Sequence, residues 1–535
     1  MALASYFIII PGLWMLLAHV SKARGWDLFT VFAISLPVAS IVAVAANPWH
    51  PHAAFALFAA GSAWGWIKGW RTLFDRVEHG LYLLAYPATR LEPGIFDVTM
   101  YQLRIPRDVH RFGLSAIDGT SFYHSLMGFP HLLLSAWGFD NQTLISAAIG
   151  MQAICAIAIL RWIRDNAKEH PVAMALAWLG IPLTWILCQE ALIDMLGIYI
   201  TCKLLQVLAT RSPTKGECLA LGLTFGIKVT IPVLLAAPLA LAIWQRRVTR
   251  THLGLFIMTT LAIGCVQWSA LGFFLFPQTY GILGEAQSAH LFSLDTQLNE
   301  LAFHAQRFHA MEIATTVFWR VSPFFVPWIF WALRNRQSPL MWSVAGSLLA
   351  WWAAFPQERF LLYVVPLILI GVGSWKLPRS LSGVMLLCSL SLFSVRGLPS
   401  WWDLKLKPGL ATLWNAPTPS LEDHLATDLP ELAVVYSERG PEWNLPGRSI
   451  FVMLHSDARM FGDDWPTTFK ALGVTHLILA DQPTSNRPAL MGTSKSLASH
   501  VEAFEAWKRQ NTLKIKSLAT PLATSNGFTL YQCHR

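Results

Sequence analysis

The chain has 535 residues, 54 % of them apolar and 13 % charged, about half the charge of an ordinary globular domain, which carries roughly 25 %. All of its +9 net charge falls in residues 1–396, with 27 Lys/Arg against 18 Asp/Glu, while residues 397–535 hold 13 of each. A nucleic-acid binder shows its cations on a polar patch; here they sit in short tethers between apolar runs, as in the loops of a multispanning membrane protein, which excludes a soluble enzyme and a nucleic-acid partner.

A crossing takes about 20 mostly apolar residues. In chain order such runs cover 2–20, 28–46, 53–67, 143–160, 171–188, 190–209, 218–229, 230–245, 252–276, 313–333, 338–355, 360–374 and 380–396. They predict a multispanning α-helical membrane protein of about 11–13 spans. The first run has no basic residues before it and no small-residue cleavage site after it, so it is expected to be a retained span and not a signal peptide. A single crossing over 218–245 would carry Lys228 and Pro232 at its middle, so two short helices meeting near Lys228 are expected. The seven cysteines include no CxxC pair, and six lie in or beside apolar runs, which predicts small buried hydrophobes with no disulfide framework or zinc site.

Loop charge orients the spans. Loops 161–170, 210–217, 246–251, 334–337 and 375–379 contain 12 Lys/Arg and three acids; loops 189–195, 277–312 and 356–359 contain two basic residues and seven acids. The first set is expected in the cytoplasm. The polar stretch of about 68–142 and everything after 396 are expected on the other side, in a multi-pass protein of the plasma (inner) membrane. The N-terminus fits less well: three spans before residue 68 would put Lys22 and Arg24 outside. Either 53–67 is re-entrant, or residues 79–88 complete a crossing.

Beyond Arg396 the charged fraction rises from 11 % to 19 %. Strand-like segments at 432–436, 449–454, 474–480 and 528–533 alternate with helical stretches near 464–472 and 495–510, predicting a small α/β domain over 397–535. It has no GxGxxG or GKS/T loop, so nucleotide binding there is unsupported.

Residues 94–113, GIFDVTMYQLRIPRDVHRFG, carry the first candidate chemistry. On a helix, Asp97, Tyr101 and Arg104 fall at i, i+4 and i+7, so a carboxylate, a phenol and a guanidinium share one face; an interfacial amphipathic helix shows the same pattern. Glu190 and Asp194 stand at i and i+4 near a span end, and intramembrane acids point to function, although acids one turn deep also stay hydrated. Lys228 and Arg359 lie at outer span ends, where a lysine also snorkels and Arg359 can pair with its neighbour Glu358. In the outer loop, His290, His304 and His309 accompany Asp295 and Glu300, but a five-residue histidine spacing and the lack of HExxH argue against a metal.

Together with FYHSLMGFPHLLLSAWGF at 122–139, these residues resemble the first extracytoplasmic loop of class C glycosyltransferases that use polyprenyl-phosphate sugars, the superfamily of protein O-mannosyltransferases and aminoarabinose transferases. Asp97, Tyr101, Pro106 and Pro130 occupy the pattern, with Gln102 where the family often has His. Asp194 in QEALIDML, the GIKVT turn at Lys228, PQERFLLYVVP at 356–366 and the GVTHLIL segment at 473–479 extend the likeness along most of the chain.

The resemblance implies a membrane domain over 1–396 that transfers a sugar from a polyprenyl-phosphate donor to an extracytoplasmic glycan, lipid or protein acceptor. Asp97 would be the general base, and Tyr101, Arg104, Glu190, Asp194, Lys228 and Arg359 would bind substrate. The scheme requires no metal or other cofactor. Asp97 also suits a helix N-cap. The competing expectation is a transporter or lipid flippase, whose internal repeats of spans are not evident in this sequence.

Overall fold

The structure, a computed structural model, describes residues 1–69, 79–91, 102–114, 128–189, 193–228, 230–271, 322–354, 358–414, 434–437, 448–450, 473–480, 516–517, 519–525 and 528–534. The first apolar run is one helix, α1 (Ala2–Arg24), and α2 follows over Leu28–Ala46. Asp27 starts α2 by accepting from Phe29 N at 3.0 Å, which satisfies one of the amides left open at a helix start. Next, α3 (Ala53–Gly69) lies parallel to α1, with Ser62 Oγ and Trp66 Nε1 both donating to Ile8 O at 2.8 Å. Its small residues Gly61, Gly65 and Gly69 let the two backbones approach closely.

Helix α4 (His79–Ala85) and the 3₁₀ turn Tyr86–Arg90 resolve the N-terminal count. Tyr6 and Tyr82 each donate a hydroxyl hydrogen bond to the other's carbonyl, and Gln142 Nε2 donates to Thr89 O. Residues 79–90 therefore end beside residue 142, on the side where α1 begins. After α5 (Arg104–Phe112) and α6 (Phe129–Leu134) comes α7 (Asn141–Asn166), whose apolar stretch is 83 % buried. It is the central column of the bundle.

The predicted span at 171–188 is two helices, α8 (Pro171–Leu179) and α9 (Pro182–Gln189), bent by 66°; Pro182, lacking an N–H, begins a new helix rather than continuing the old one. Then come α10 (Asp194–Thr210) and α11 (Lys215–Leu223). The 3₁₀ turn Thr224–Gly226 leads to α12 (Thr230–Trp244), so two short helices do meet around Lys228. The remaining helices are α13 (Arg250–Leu271), α14 (Phe325–Arg334), α15 (Pro339–Ala354), α16 (Glu358–Leu361), α17 (Val365–Gly373) and α18 (Arg379–Trp401). A π turn, Trp402–Leu406, carries α18 on into α19 (Lys407–Trp414). The compositional boundary at 396 thus falls inside a continuous helix, because the backbone hydrogen bonds run on where the side chains turn polar.

Among the described residues five helices are long and apolar enough to cross a membrane, or six with α8 and α9 taken together. The chain is a multispanning helical protein. Only 17 % of the apolar stretch of α18 is buried, and Val384, Leu387 and Val395 are each more than half exposed, as lipid-facing residues are. Cys155, Cys188, Cys202 and Cys218 are buried, but Cys265 and Cys388 are exposed; these two depart from expectation because α13 and α18 lie at the rim, where lipid replaces protein. Trp26, Trp49 and Trp244 are exposed at or beside helix ends, matching an interfacial aromatic belt.

Three of the loops grouped by charge, 161–170, 210–217 and 375–379, meet on one face. His170 Nε2 donates to Trp375 O at 3.0 Å, Glu169 N to Gly373 O at 3.0 Å, and Gln206 Nε2 to Asn166 Oδ1 at 3.0 Å. Asp27 lines a cavity with Lys203, Arg211 and Glu217, so the Lys22–Arg24 end of α1 joins this basic face and the charge rule holds there too.

In the C-terminal segment five strands form one sheet: β1 (Val434–Ser437), β2 (Arg448–Ile450), β3 (His476–Ala480), β4 (Ala519–Ser525) and β5 (Phe528–Cys533), in the order β2-β1-β3-β5-β4. β1 pairs in parallel with β2 and β3, while β5 runs antiparallel to β3 and β4. The sequence pattern missed β4, whose ATPLATS run has little apolar alternation and contains a proline. The helical stretches expected near 464–472 and 495–510 lie outside the described residues.

Candidate functional site

On the face opposite the basic loops, Asp194, Lys228, Arg359 and the first outer loop converge. Asp194 opens α10, with Ile193 as the N-cap. A carboxylate in a first turn is favoured by the partial positive charge of the helix start. The next amide, Met195 N, donates to Gln152 Oε1 of α7 at 2.8 Å, which anchors this helix start to the central column. The relation expected between Asp194 and Glu190 reaches beyond the start of α10. Glu190 itself lies outside the described residues.

Asp194 is fully buried and receives two donors on one oxygen. Lys228 Nζ lies 2.6 Å from Asp194 Oδ1, and Tyr363 OH donates to the same atom at 3.1 Å. Asp194 Oδ2 is buried with no hydrogen-bond partner among the described residues. Lys228 occupies the break between the 3₁₀ turn and α12, with its carbonyl accepting from Ile231 N at 3.1 Å. Pro232 in the first turn of α12 needs no donor partner there.

Tyr363 comes from the break between α16 and α17, where Pro366 starts the new helix; its carbonyl accepts from Cys202 Sγ at 3.0 Å. The phenol reaches Asp194 only because position 197 is glycine. A Cβ there would stand 2.6 Å from Tyr363 OH. Both cations lie against Phe360, with Lys228 Nζ 5.2 Å and Arg359 Cζ 4.8 Å from its ring centre, within cation–π range. Arg359 is also within electrostatic reach of Asp194.

The outer loop is seated directly on the Lys228 turn. Gly128 packs so close that a Cβ would fall 2.5 Å from Ile227 O. Gly128 N donates to His131 Nδ1 at 2.9 Å, so the ring's other nitrogen, Nε2, carries the proton and donates to Gln102 Oε1 at 2.8 Å. Burial, reinforced by the charge of Lys228, pushes the His131 pKa down to about 3, so the ring is neutral at physiological pH. Gln102, which stands where the resembled family often has His, is fully buried and fixes this ring; its Nε2 has no partner among the described residues.

Arg104 begins α5 and is buried. Its Nε lies 3.0 Å from Asp108 Oδ2, and Arg107 Nη2 lies 3.4 Å from Asp108 Oδ1. Burial brings the Arg107 pKa down to about 9 despite Asp108, and it remains protonated at neutral pH. Burial likewise lowers His110 to about 4, while its Nδ1 stays bonded to Ser135 O at 2.9 Å.

Asp97, Tyr101, His290, His304 and His309, with Asp295 and Glu300, lie outside the described residues. Of the sequence candidates, the structure brings Asp194, Lys228 and Arg359 together. It places Arg104 in an ion cluster with Asp108. The sequence missed Tyr363, His131 and Gly197; the spacing of Tyr363 four residues after Arg359 in ERFLLY was the available signal.

No family model matches the chain, and no curated protein matches it. Among solved structures it is similar to ArnT from Cupriavidus metallidurans bound to undecaprenyl phosphate, with a TM-score of 0.51 and 12 % identity over 86 % of this chain and 97 % of that one. The apo state of the same protein gives 0.50 and 13 % over the same shares. The chain thus shares the fold of this ArnT structure. Within this fold, the Asp194–Lys228–Tyr363 cluster sits under the segment that carried the sequence resemblance.

Proposed function

We propose that the protein is a membrane glycosyltransferase that moves a sugar from a polyprenyl-phosphate donor to an extracytoplasmic acceptor. The observation that supports it most is the buried convergence of Lys228, Arg359, Asp194 and Tyr363 beneath the outer loop. The basic face is cytoplasmic by the charge rule, so this cluster belongs to the extracytoplasmic side. Gly409 near the end of α19 packs against Pro87, which supports an extracytoplasmic C-terminal segment. The solved neighbour that holds undecaprenyl phosphate supports a donor of the same chemistry.

In this scheme the prenyl tail lies among apolar helices and the sugar phosphate sits at the boundary. Asp97 removes the proton of the acceptor hydroxyl as that oxygen attacks the anomeric carbon, and the lipid phosphate departs. A well-placed general base contributes roughly 10²–10⁴ in rate. Lys228 meets the leaving phosphate together with Arg359. Asp194 and Tyr363 hold Lys228 in place, as positioning residues. Tyr101, Arg104 and Glu190 complete the substrate side.

The test is purified protein with a panel of radiolabelled polyprenyl-phosphate sugars. Wild type transfers one of them, and Asp97→Asn loses roughly 10²–10⁴ in rate while staying folded. Full activity of a folded Asp97→Asn protein removes the base assignment. Failure of the wild type across the whole panel removes the donor class.

A further inference from the structure

A second polar site lies on the basic face, far along α10 from Asp194. A cavity of about 300 Å³ opens between α1, α2, α7 and α10. Apolar and aromatic side chains, Trp14, Ile154, Ile157 and Tyr199, line its wall; Arg161, Lys203, Asp27 and Asp165 ring its polar part. The two acids are already engaged. Asp27 Oδ2 caps α2 through Phe29 N at 3.0 Å, and Asp165 Oδ1 accepts from Arg164 Nη2 at 3.2 Å with its side chain 56 % exposed.

Lys203 differs. Its ammonium lies 5.6 Å from the centre of the Trp162 ring and forms no ion pair or hydrogen bond among the described residues. A lysine at membrane depth is costly unless an anion meets it. A second cavity, about 160 Å³, shares Asp27 and Lys203 with the first and continues past Gln206 to Arg211 and Glu217. A path therefore leads from the basic face to the Lys203 ammonium.

We infer that this cavity binds the phosphate headgroup of an anionic phospholipid from the leaflet on the basic face, with Lys203 as its principal cation and Arg161 as the second. Cations above an apolar, aromatic wall, with Asp27 and Asp165 engaged in a helix cap and an ion pair, are complementary to an amphiphile with an anionic head. A zwitterionic head would bring its own cation against Lys203 and Arg161. At about 30 Å³ per water, the volume of the larger cavity suits a phosphate and the first carbons of its lipid, leaving the acyl chains outside among the helices. This site is independent of the proposed sugar transfer.

The full-length protein is placed in phosphatidylcholine nanodiscs doped with phosphatidylglycerol, and retained lipid is counted by native mass spectrometry after release into detergent. Wild type retains phosphatidylglycerol in preference to phosphatidylcholine. Lys203→Met lowers that retention roughly tenfold, the loss of one charge-assisted contact, and Lys203→Arg keeps it. Millimolar inorganic phosphate does not displace the lipid. Equal retention of the two lipids by wild type, which requires no variant to fold, overturns the proposal, as does unchanged retention in a monodisperse Lys203→Met protein. Displacement by inorganic phosphate overturns the lipid source and leaves a free-phosphate site.

Discussion

Helix α10 carries a charged group toward each face of the membrane domain, and the two ends solve the same electrostatic problem differently. At the outer end, Asp194 meets Lys228 at 2.6 Å and Tyr363 at 3.1 Å. Toward the basic end, Lys203 has an aromatic ring and an open cavity, and Asp27 and Glu217 favour its charge from beyond ion-pair distance. A buried pair is self-sufficient and rigid; a buried single charge needs solvent or a ligand. The outer cluster is therefore built as fixed machinery, and the inner one as a receptor.

The sharpest way to break this contrast is to remove one partner of the fixed pair. Asp194→Leu leaves Lys228 buried with its counter-ion gone and should cost about 3–5 kcal/mol, read as a large drop in thermal unfolding temperature in detergent. Adding Lys228→Met to that variant should recover most of the loss. If the double variant is no better than the single one, the pair does not behave as a unit.

Next in size is the space made by Gly197. Gly197→Val forces a side chain against Tyr363 OH and should destabilise by about 1–3 kcal/mol, with Tyr363→Phe giving partial relief. Additive losses in the combined variant would show that the two residues do not share that contact.

The outer loop adds a pH dependence. His131 titrates near 3 when folded and near 6.5 when unfolded. Below pH 6.5 the unfolded chain takes up a proton that the folded chain refuses, so stability falls with pH down to about 3. Between pH 7 and 5 the loss should be about 2 kcal/mol, measured as the shift in unfolding temperature. His131→Asn should flatten that dependence; an unchanged slope would assign it to other groups. The smallest effect belongs to the receptor end. In zwitterionic detergent, Lys203→Met should change stability by less than about 1 kcal/mol, because no paired charge is left behind. A loss as large as that of Asp194→Leu would mean that Lys203 is structural.

Much of this architecture was legible in the sequence because a bilayer imposes length and composition on every span and a sign on every loop. The pair of helices at Lys228 was visible for the same reason, since a lysine and a proline do not belong at mid-span. The N-terminal parity was left between two alternatives, because His79–Arg90 is too short to delimit a crossing; the Tyr6–Tyr82 exchange of hydrogen bonds is what places it. Tyr363 stayed hidden because an aromatic in an apolar run looks like packing until a carboxylate is found beside its hydroxyl. β4 was missed for lack of alternation, although Asn526–Gly527 just before β5 is a strong hairpin signal.

The last helix has a mechanical meaning. From Arg379 to Trp414 the backbone is one unbroken rod, on the order of 50 Å long and so longer than a bilayer core is thick. Its lower end is rooted in the basic face and its far end leans on Pro87. A tilt of a few degrees at the root becomes a displacement of several ångströms at the tip.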